Sequence, residues 1–259
     1  VDDETRDLIT KISQKFIARR DVVALQNADG SWRPEQKPFK MGNMREHLEG
    51  KVTLGHYLVD PDGDKTKLFA FDIDIKGNRD GEAPSYWLDE NKERHEGDMR
   101  EAWNTPGHPA IPYLRLHLRC LAEGLGHAIH RLYDDNVHVV IADSGGKGLH
   151  VYGLTGEVDA LEAKTMAEGV LQTLGCFEAF RGNNFWRHTS AYENLEIEVF
   201  PKQTTLQGKE YGNLMRLPLG INRKTGRVSR FLAFDNGFQD EWNVMPPLQA
   251  LGGALPWPE

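Results

Sequence analysis

The sequence is poor in several features that mark large protein classes. Its 259 residues include two cysteines, Cys120 and Cys176, far apart in the chain, so no disulfide framework is written into it and a reducing, cytoplasmic setting is expected. It has no run of about 18 apolar residues, which excludes a helical membrane span. No basic stretch followed by an apolar one opens it, and it carries no internal repeat or low-complexity tract. A surplus of positive charge is also missing: 31 Lys and Arg stand against 39 Asp and Glu, a net charge of −8. That balance excludes a protein that coats nucleic acid by bulk attraction.

What is present suffices for a sizeable core, with 39% hydrophobic and 27% charged residues in a chain long enough for one large domain or two small ones. The charge is segregated. Between Pro201 and Arg230, Lys202, Lys209, Arg216, Arg223, Lys224, Arg227 and Arg230 face one acid, Glu210, leaving +6 in that stretch. An anionic ligand would select such a patch; a solvated basic loop beside an acidic surface is the other reading.

Leu8, Ile9, Ile12, Phe16 and Ile17 recur at helical spacing and predict an amphipathic helix within 5–20, followed by a polar, turn-rich stretch at 27–38. Strands are predicted at 52–59 and 67–75, joined by the Asp60-Pro-Asp-Gly-Asp turn as a hairpin. Residues 76–112 are charged, punctuated by Gly and Pro and without periodicity, and read as an insertion or mobile loop. A long helix starts at Tyr113 and ends near Asp134. Strands at 137–142 and 149–152 then flank a glycine-rich loop, and Asp159 with Glu162 resembles a capping box for a helix burying Leu161, Met166, Val170 and Leu174. A strand at 195–200 and a turn at 220–227 between two further strands come next, and the proline-rich end reads as a linker.

In Lys67–Ile75 the side chains alternate, so Phe69, Phe71, Ile73 and Ile75 point to the core while Asp72 and Asp74 share the other face, about 6–7 Å apart at their Cα atoms. Like charges so close repel unless a cation lies between them, and hard oxygen ligands suit Mg²⁺ or Mn²⁺. A lone Asp-x-Asp also fits two solvated acids on an edge strand. Leu195, Ile197 and Val199 likewise oppose Glu196 and Glu198, and a third acid brought beside the first two completes a site for two ions about 3.5–4 Å apart. The loop Ser144-Gly-Gly-Lys-Gly-Leu-His150 joins two strands instead of opening a helix, unlike a P-loop. Its glycines let backbone N–H groups approach an anion, with Ser144, Lys147 and His150 as further donors, which predicts a triphosphate cradle. A plain glycine hairpin is the alternative.

The order of motifs resembles the archaeo-eukaryotic primase superfamily, in particular the primase-polymerase domains of TOTE conflict systems and CRISPR-associated primase-polymerases. The resemblance runs from about His47 to Arg230. It is carried by His47-Leu-Glu-Gly with Gly55-His-Tyr, Phe71-Asp-Ile-Asp, the Ser144–His150 loop, Glu198-Val-Phe-Pro-Lys-Gln203, Gly212-Asn-Leu-Met-Arg-Leu-Pro-Leu-Gly220 and Asn222-Arg-Lys-Thr-Gly-Arg227. It implies an α+β fold, an RRM-like palm sheet combined with an N-terminal α/β module. A helical segment at 1–46 would pack on a catalytic core at 47–235, with an extension or linker at 236–259.

The resemblance further implies a DNA primase or polymerase, in which Asp72, Asp74 and Glu198 bind two Mg²⁺ or Mn²⁺ ions. Glu198 stands where many relatives have Asp. Ser144, Lys147, Gly148 and His150 would hold the triphosphate of an NTP or dNTP. By comparison with polymerase domains of bacterial end-joining ligases, Arg216 would contact its phosphates; Gln203, Arg223 and His56 carry over less directly. Expected partners are a DNA template and primer, and helicase, CRISPR or replication proteins encoded nearby or on the same chain; no membrane is expected. A metal-dependent phosphodiesterase or nuclease and an inactive nucleic-acid-binding primase-like domain are the alternatives. Zinc on Cys120, Cys176, His108 and His117 is not expected, because the spacing is not that of a knuckle. Trp103, Trp186 and Trp242 are candidates for base stacking or for the core.

Overall fold

Asp2 accepts the Thr5 N–H at 2.7 Å and so caps the first helix, α1 (Asp3–Phe16), whose Ile9, Ile12 and Phe16 are buried. The structure is a computed structural model and describes residues 2–78, 84–180 (without the Phe180 side chain), 184–189, 192–206, 208, 210–233 and 242–252. After α1 come β1 (Val23–Gln26), β2 (Trp32–Glu35), α2 (Met41–Leu48), β3 (Leu54–Tyr57), β4 (Lys65–Ile75), β5 (Tyr86–Leu88), β6 (Arg94–Glu96), α3 (Met99–Asn104) and α4 (Ala110–Tyr133). The second half contains β7 (His138–Asp143), β8 (Gly148–Asp159), α5 (Ala160–Thr173), β9 (Cys176–Phe180), β10 (Phe185–His188), β11 (Leu195–Phe200), β12 (Leu214–Arg216), β13 (Phe231–Leu232) and α6 (Pro247–Leu251).

Two antiparallel sheets dominate, a large one ordered β13-β7-β8-β4-β11-β10-β9 and a small one ordered β12-β3-β1-β2. Within the large sheet, β4-α4-β7-β8-α5-β11 is a βαββαβ unit with strands in the spatial order β11-β4-β8-β7, the split βαβ arrangement of RRM-like sheets. The fold is therefore α+β, as expected. The helices α4 and α5 cover one face and bury Phe69, Phe71, Ile73, Ile75, Leu195, Ile197 and Val199, the apolar positions that alternation assigned to the core. The other face carries a second core built from α1, α2, α6 and both sheets, including Leu68, Ala70, Tyr152, Phe200, Met215 and Leu217.

Several local expectations change. The predicted hairpin of 52–59 with 67–75 does not form, because β3 joins the small sheet and β4 the large one. Residues 27–38 contain β2, and the stretch read as an insertion contains the hairpin of β5 and β6 and the helix α3, with Trp87, Met99 and Ala102 in the first core. The helix α5 starts where predicted without a side-chain cap: the Asp159 carboxylate instead meets Lys65 Nζ at 2.5 Å. It buries Ala160, Ala163, Ala167, Val170 and Leu171, while Leu161 is 65% exposed. In the C-terminal stretch, α6 buries Ala250 and Leu251, and the Ala250 carbonyl meets His138 Nε2 at 2.7 Å. Among the described residues no helix is long and apolar enough to cross a membrane.

Candidate active site

Register brings the acids together. Glu198 pairs with Asp72 and Glu196 with Asp74 across β11 and β4, while His150 and Gly148 on β8 pair with Asp72 and Asp74 from the other side. Direct neighbours in an antiparallel ladder lie about 4.5–5.5 Å apart at Cα. Asp72, Asp74 and Glu198 therefore form one cluster at the centre of the large sheet, on the face away from α4 and α5. Each acid but one has a cation: Asp74 Oδ2 meets Lys147 Nζ at 2.5 Å, Glu198 pairs with Lys202, and Glu196 meets Arg187 at 2.7 Å.

Asp72 is the exception. Among the described residues its Oδ1 is buried and has no hydrogen-bond partner, although the side chain as a whole is 25% exposed. Burial raises its pKa well above the usual carboxylate range, and the charges of Asp74 and Glu198 raise it further; Arg216 and Lys147 oppose the shift. His150 Nε2 stands 3.4 Å from that oxygen. This contact is not an ion pair, since burial and Arg216 push the His150 pKa down to about 3 and leave the ring neutral. On its other side His150 Nδ1 meets the Tyr152 hydroxyl at 2.8 Å.

The glycine loop lies over this cluster and is held by its carbonyl groups. Arg216 Nη2 donates to Ser144 O at 2.5 Å, Asn222 Nδ2 and Thr225 Oγ1 donate to Gly145 O at 3.1 and 2.5 Å, and Trp103 Nε1 donates to Gly146 O at 3.1 Å. Two of its N–H groups are engaged by neighbouring side chains. Gly145 N–H goes to the Asp143 carboxylate at 2.7 Å and Gly146 N–H to Ser144 Oγ at 3.1 Å. Positive charge at the cluster comes from Lys147 and from Arg216, which reaches across from the small sheet and feels both Asp72 and Asp74. Gly148 admits no side chain, because a Cβ there would run into the Ile73 carbonyl.

The remaining expected residues lie around this centre. Arg223 donates to Thr53 Oγ1 at 3.1 Å and to Gly50 O at 2.8 Å, so it ties the 222–227 turn to the N-terminal elements. Gln203 comes just after β11, with its Nε2 buried and, among the described residues, unpartnered. His56 Nδ1 meets Phe16 O at 2.9 Å, and its Nε2 is buried without a partner. His47 accepts the Leu54 N–H at Nδ1 and therefore donates from Nε2 to Pro218 O, both at 3.0 Å, a staple between α2, β3 and the strand exit at Pro218. Lys209 lies outside the described residues. Trp186 is buried in the first core, Trp242 packs against it, and Trp103 serves the glycine loop.

Sequence reasoning passed over Tyr152, Asn222, Thr225 and the pairing role of Lys202. The period of two was enough to place Tyr152 on the same face as His150; the loop contacts depend on tertiary approach and left no local signal. A separate group, Asp89, Glu93 and His95, brings ligand atoms within 4.8 Å of one another at the tip of the β5–β6 hairpin. Asp89 there accepts N–H groups of Asn91 and Glu93 and His95 stacks on Trp87, so these residues close the hairpin and share nothing with the expected acids.

Residues 9–253 match the family described as the archaeo-eukaryotic primase domain of TOTE conflict systems. The chain belongs to this family. No curated protein matches this chain. Among solved structures it is similar to the polymerase domain from Mycobacterium tuberculosis ligase D in complex with DNA. That likeness covers 96% of this chain and 85% of that one, with 13% identity and a TM-score of 0.42.

Proposed function

We propose that the domain is a template-directed nucleotidyltransferase, a DNA primase and polymerase that adds nucleotides from NTP or dNTP to a 3′-hydroxyl. In this reading Asp72, Asp74 and Glu198 hold two divalent ions, Mg²⁺ or Mn²⁺. The observation that carries it is Asp72 Oδ1, a buried oxygen without a partner among like charges, which is the condition a hard cation relieves. Bound there, the ions would activate the attacking hydroxyl and stabilise charge on the departing pyrophosphate.

The chain's own residues position and neutralise the nucleotide. Lys147 has a stem long enough to turn from Asp74 to a triphosphate oxygen, and Arg216 is already fixed beside the acids by its bond to Ser144 O. Ser144 and His150 add donors, and the bare backbone at Gly148 lets β8 pack directly against Ile73 beside Asp74. Arg223 anchors the turn from which Lys224, Arg227 and Arg230 present exposed charge to template phosphates.

The test is extension of labelled primed and unprimed DNA, with each nucleotide pool in turn and with Mg²⁺ or Mn²⁺. Products are expected with either ion and none with chelator; products on unprimed DNA separate primase from polymerase. Asp72→Ala and Asp74→Ala should abolish incorporation and keep the circular dichroism of the parent. Full incorporation by either variant sinks the assignment.

A further inference from the structure

Tyr152 lies two residues beyond His150 on β8, on the same face of the strand, and is fully buried. Leaving a buried hydroxyl unpaired is costly, so its hydrogen must have an acceptor. Its contact is His150 Nδ1 at 2.8 Å, and among the described residues no other acceptor lies within hydrogen-bond range. A neutral imidazole carries one proton, on Nδ1 or on Nε2. With the proton on Nδ1, the ring would donate to the phenol oxygen and leave the O–H buried without an acceptor. The Nε2 lone pair would then face Asp72 Oδ1 from 3.4 Å. With the proton on Nε2, Tyr152 donates to the Nδ1 lone pair and an N–H faces the acid cluster. Only the second arrangement gives the buried Tyr152 hydroxyl an acceptor. The Phe16 ring, edge-on to Tyr152 with centroids 5.1 Å apart, holds the phenol in place.

We infer that Tyr152 is a positioning residue that locks His150 in the Nε2–H tautomer, so that the ring offers a proton donor to the phosphate oxygens of the incoming nucleotide. The role in nucleotide binding rests on the function proposed above; the tautomer does not. A fixed tautomer matters because a ring free to exchange would present a lone pair to an anion for part of the time, and that arrangement repels phosphate.

Protein labelled with ¹⁵N in histidine alone tests it, with ring nitrogens read from long-range ¹H–¹⁵N correlations at neutral pH and His150 identified by its loss in His150→Gln. The wild type should show a protonated Nε2 and an unprotonated Nδ1. Tyr152→Phe, which keeps the ring and removes the hydroxyl, should raise the Nδ1–H fraction. It should also raise the nucleotide KM about tenfold while kcat changes less than about twofold. A protonated Nδ1 in the wild type overturns the inference, as does a Tyr152→Phe spectrum identical to the parent's. The wild-type measurement needs no variant, so a Tyr152→Phe protein that fails to fold does not shield the claim. An Nε2–H tautomer in a protein that incorporates no nucleotide refutes the polymerase reading and leaves the tautomer assignment standing.

Discussion

Along one face of β4 the same alternation makes two unlike environments. Leu68 and Ala70 lie in the second core at 0% exposure, and the hydroxyl of the nearby Thr66, 1% exposed, is bonded to Leu68 O at 3.1 Å. Two residues on, Asp72 and Asp74 emerge at 25% and 36% exposure among other charges. The covered end has its polar groups satisfied and its apolar groups packed. The open end holds an unpartnered oxygen and a carboxyl whose ionisation the surroundings oppose. The difference teaches where stability is given up: the strand is anchored by one end so that the other can hold charge that only a ligand would settle.

Asp72→Asn breaks this contrast most directly. It should lower incorporation at least about a thousandfold, since the carboxylate charge is what a metal-dependent phosphoryl transfer requires. In chelator the same variant should melt higher than the parent, because it removes a charge whose ionisation the fold resists. Linkage gives the sign. Asp72 has a folded-state pKa above its ordinary value of 3.8, so the folded protein holds this proton more tightly than the unfolded chain. The parent therefore loses stability relative to Asp72→Asn as the pH rises above about 3.8, and the two converge in more acid solution. A parent more stable than the variant at neutral pH in chelator refutes this account of the cluster.

The buried histidines work in the opposite direction. Burial lowers His47 and His56 to about 4 and His150 to about 3, against an ordinary 6.5. Their folded-state pKa values lie below the unfolded ones, so their contribution is whole above pH 6.5 and is lost as the pH falls toward 4. Linkage puts the loss on the order of 2 kcal/mol per histidine at pH 5. Denaturant melts of the Asp72→Asn protein, which lacks the opposing carboxyl, should show the midpoint falling steadily from pH 6.5 to 5. A flat profile there contradicts neutral, buried imidazoles.

Leu68→Ala probes the covered end. Removing a fully buried leucine costs about 2–5 kcal/mol through lost packing and a cavity. Incorporation per folded molecule should nevertheless stay within about twofold, because Leu68 touches the second core and not the acids. Equal loss of activity and of folded fraction keeps the two ends separate; an activity loss in fully folded protein joins them.

The features legible in the sequence are those with a strong period and one buried face. Both β4 and β11 could be read because their apolar residues alternate against α4 and α5, and the three acids came with them. Their register was not legible, since it is set by pairing across 120 residues of chain with no local signature. The Asp60–Asp64 turn forms, with Asp60 Oδ1 accepting the N–H groups of Gly63, Asp64 and Lys65. It joins two sheets because turn chemistry sets the chain's direction and leaves the strand's partner open. On α5, Val170, Met166 and Leu174 meet the first core as read, and only Leu161 was misjudged, because close helix–sheet approach favours the small Ala160, Ala163 and Ala167 there. Arg216 and Arg223 are alike in sequence and differ only in what the fold sets beside them, acids and Ser144 for one, Thr53 and Gly50 for the other.

The smallest expected effect tests whether the glycine loop belongs to the anchored part of the molecule or to the charged one. Trp103 donates its indole N–H to Gly146 O, while Asn222 and Thr225 hold Gly145 O from the opposite side. Trp103→Phe keeps most of the ring and removes that donor. One neutral hydrogen bond contributes about 0.5–1.5 kcal/mol, so the melting midpoint should fall only slightly. With two donors still on Gly145, the loop should keep its place over Asp74, and the nucleotide KM should rise no more than about threefold with kcat unchanged. A tenfold or larger loss in kcat would mean that the loop's position is set mainly from α3, and that the stretch read from sequence as an insertion is part of the active site.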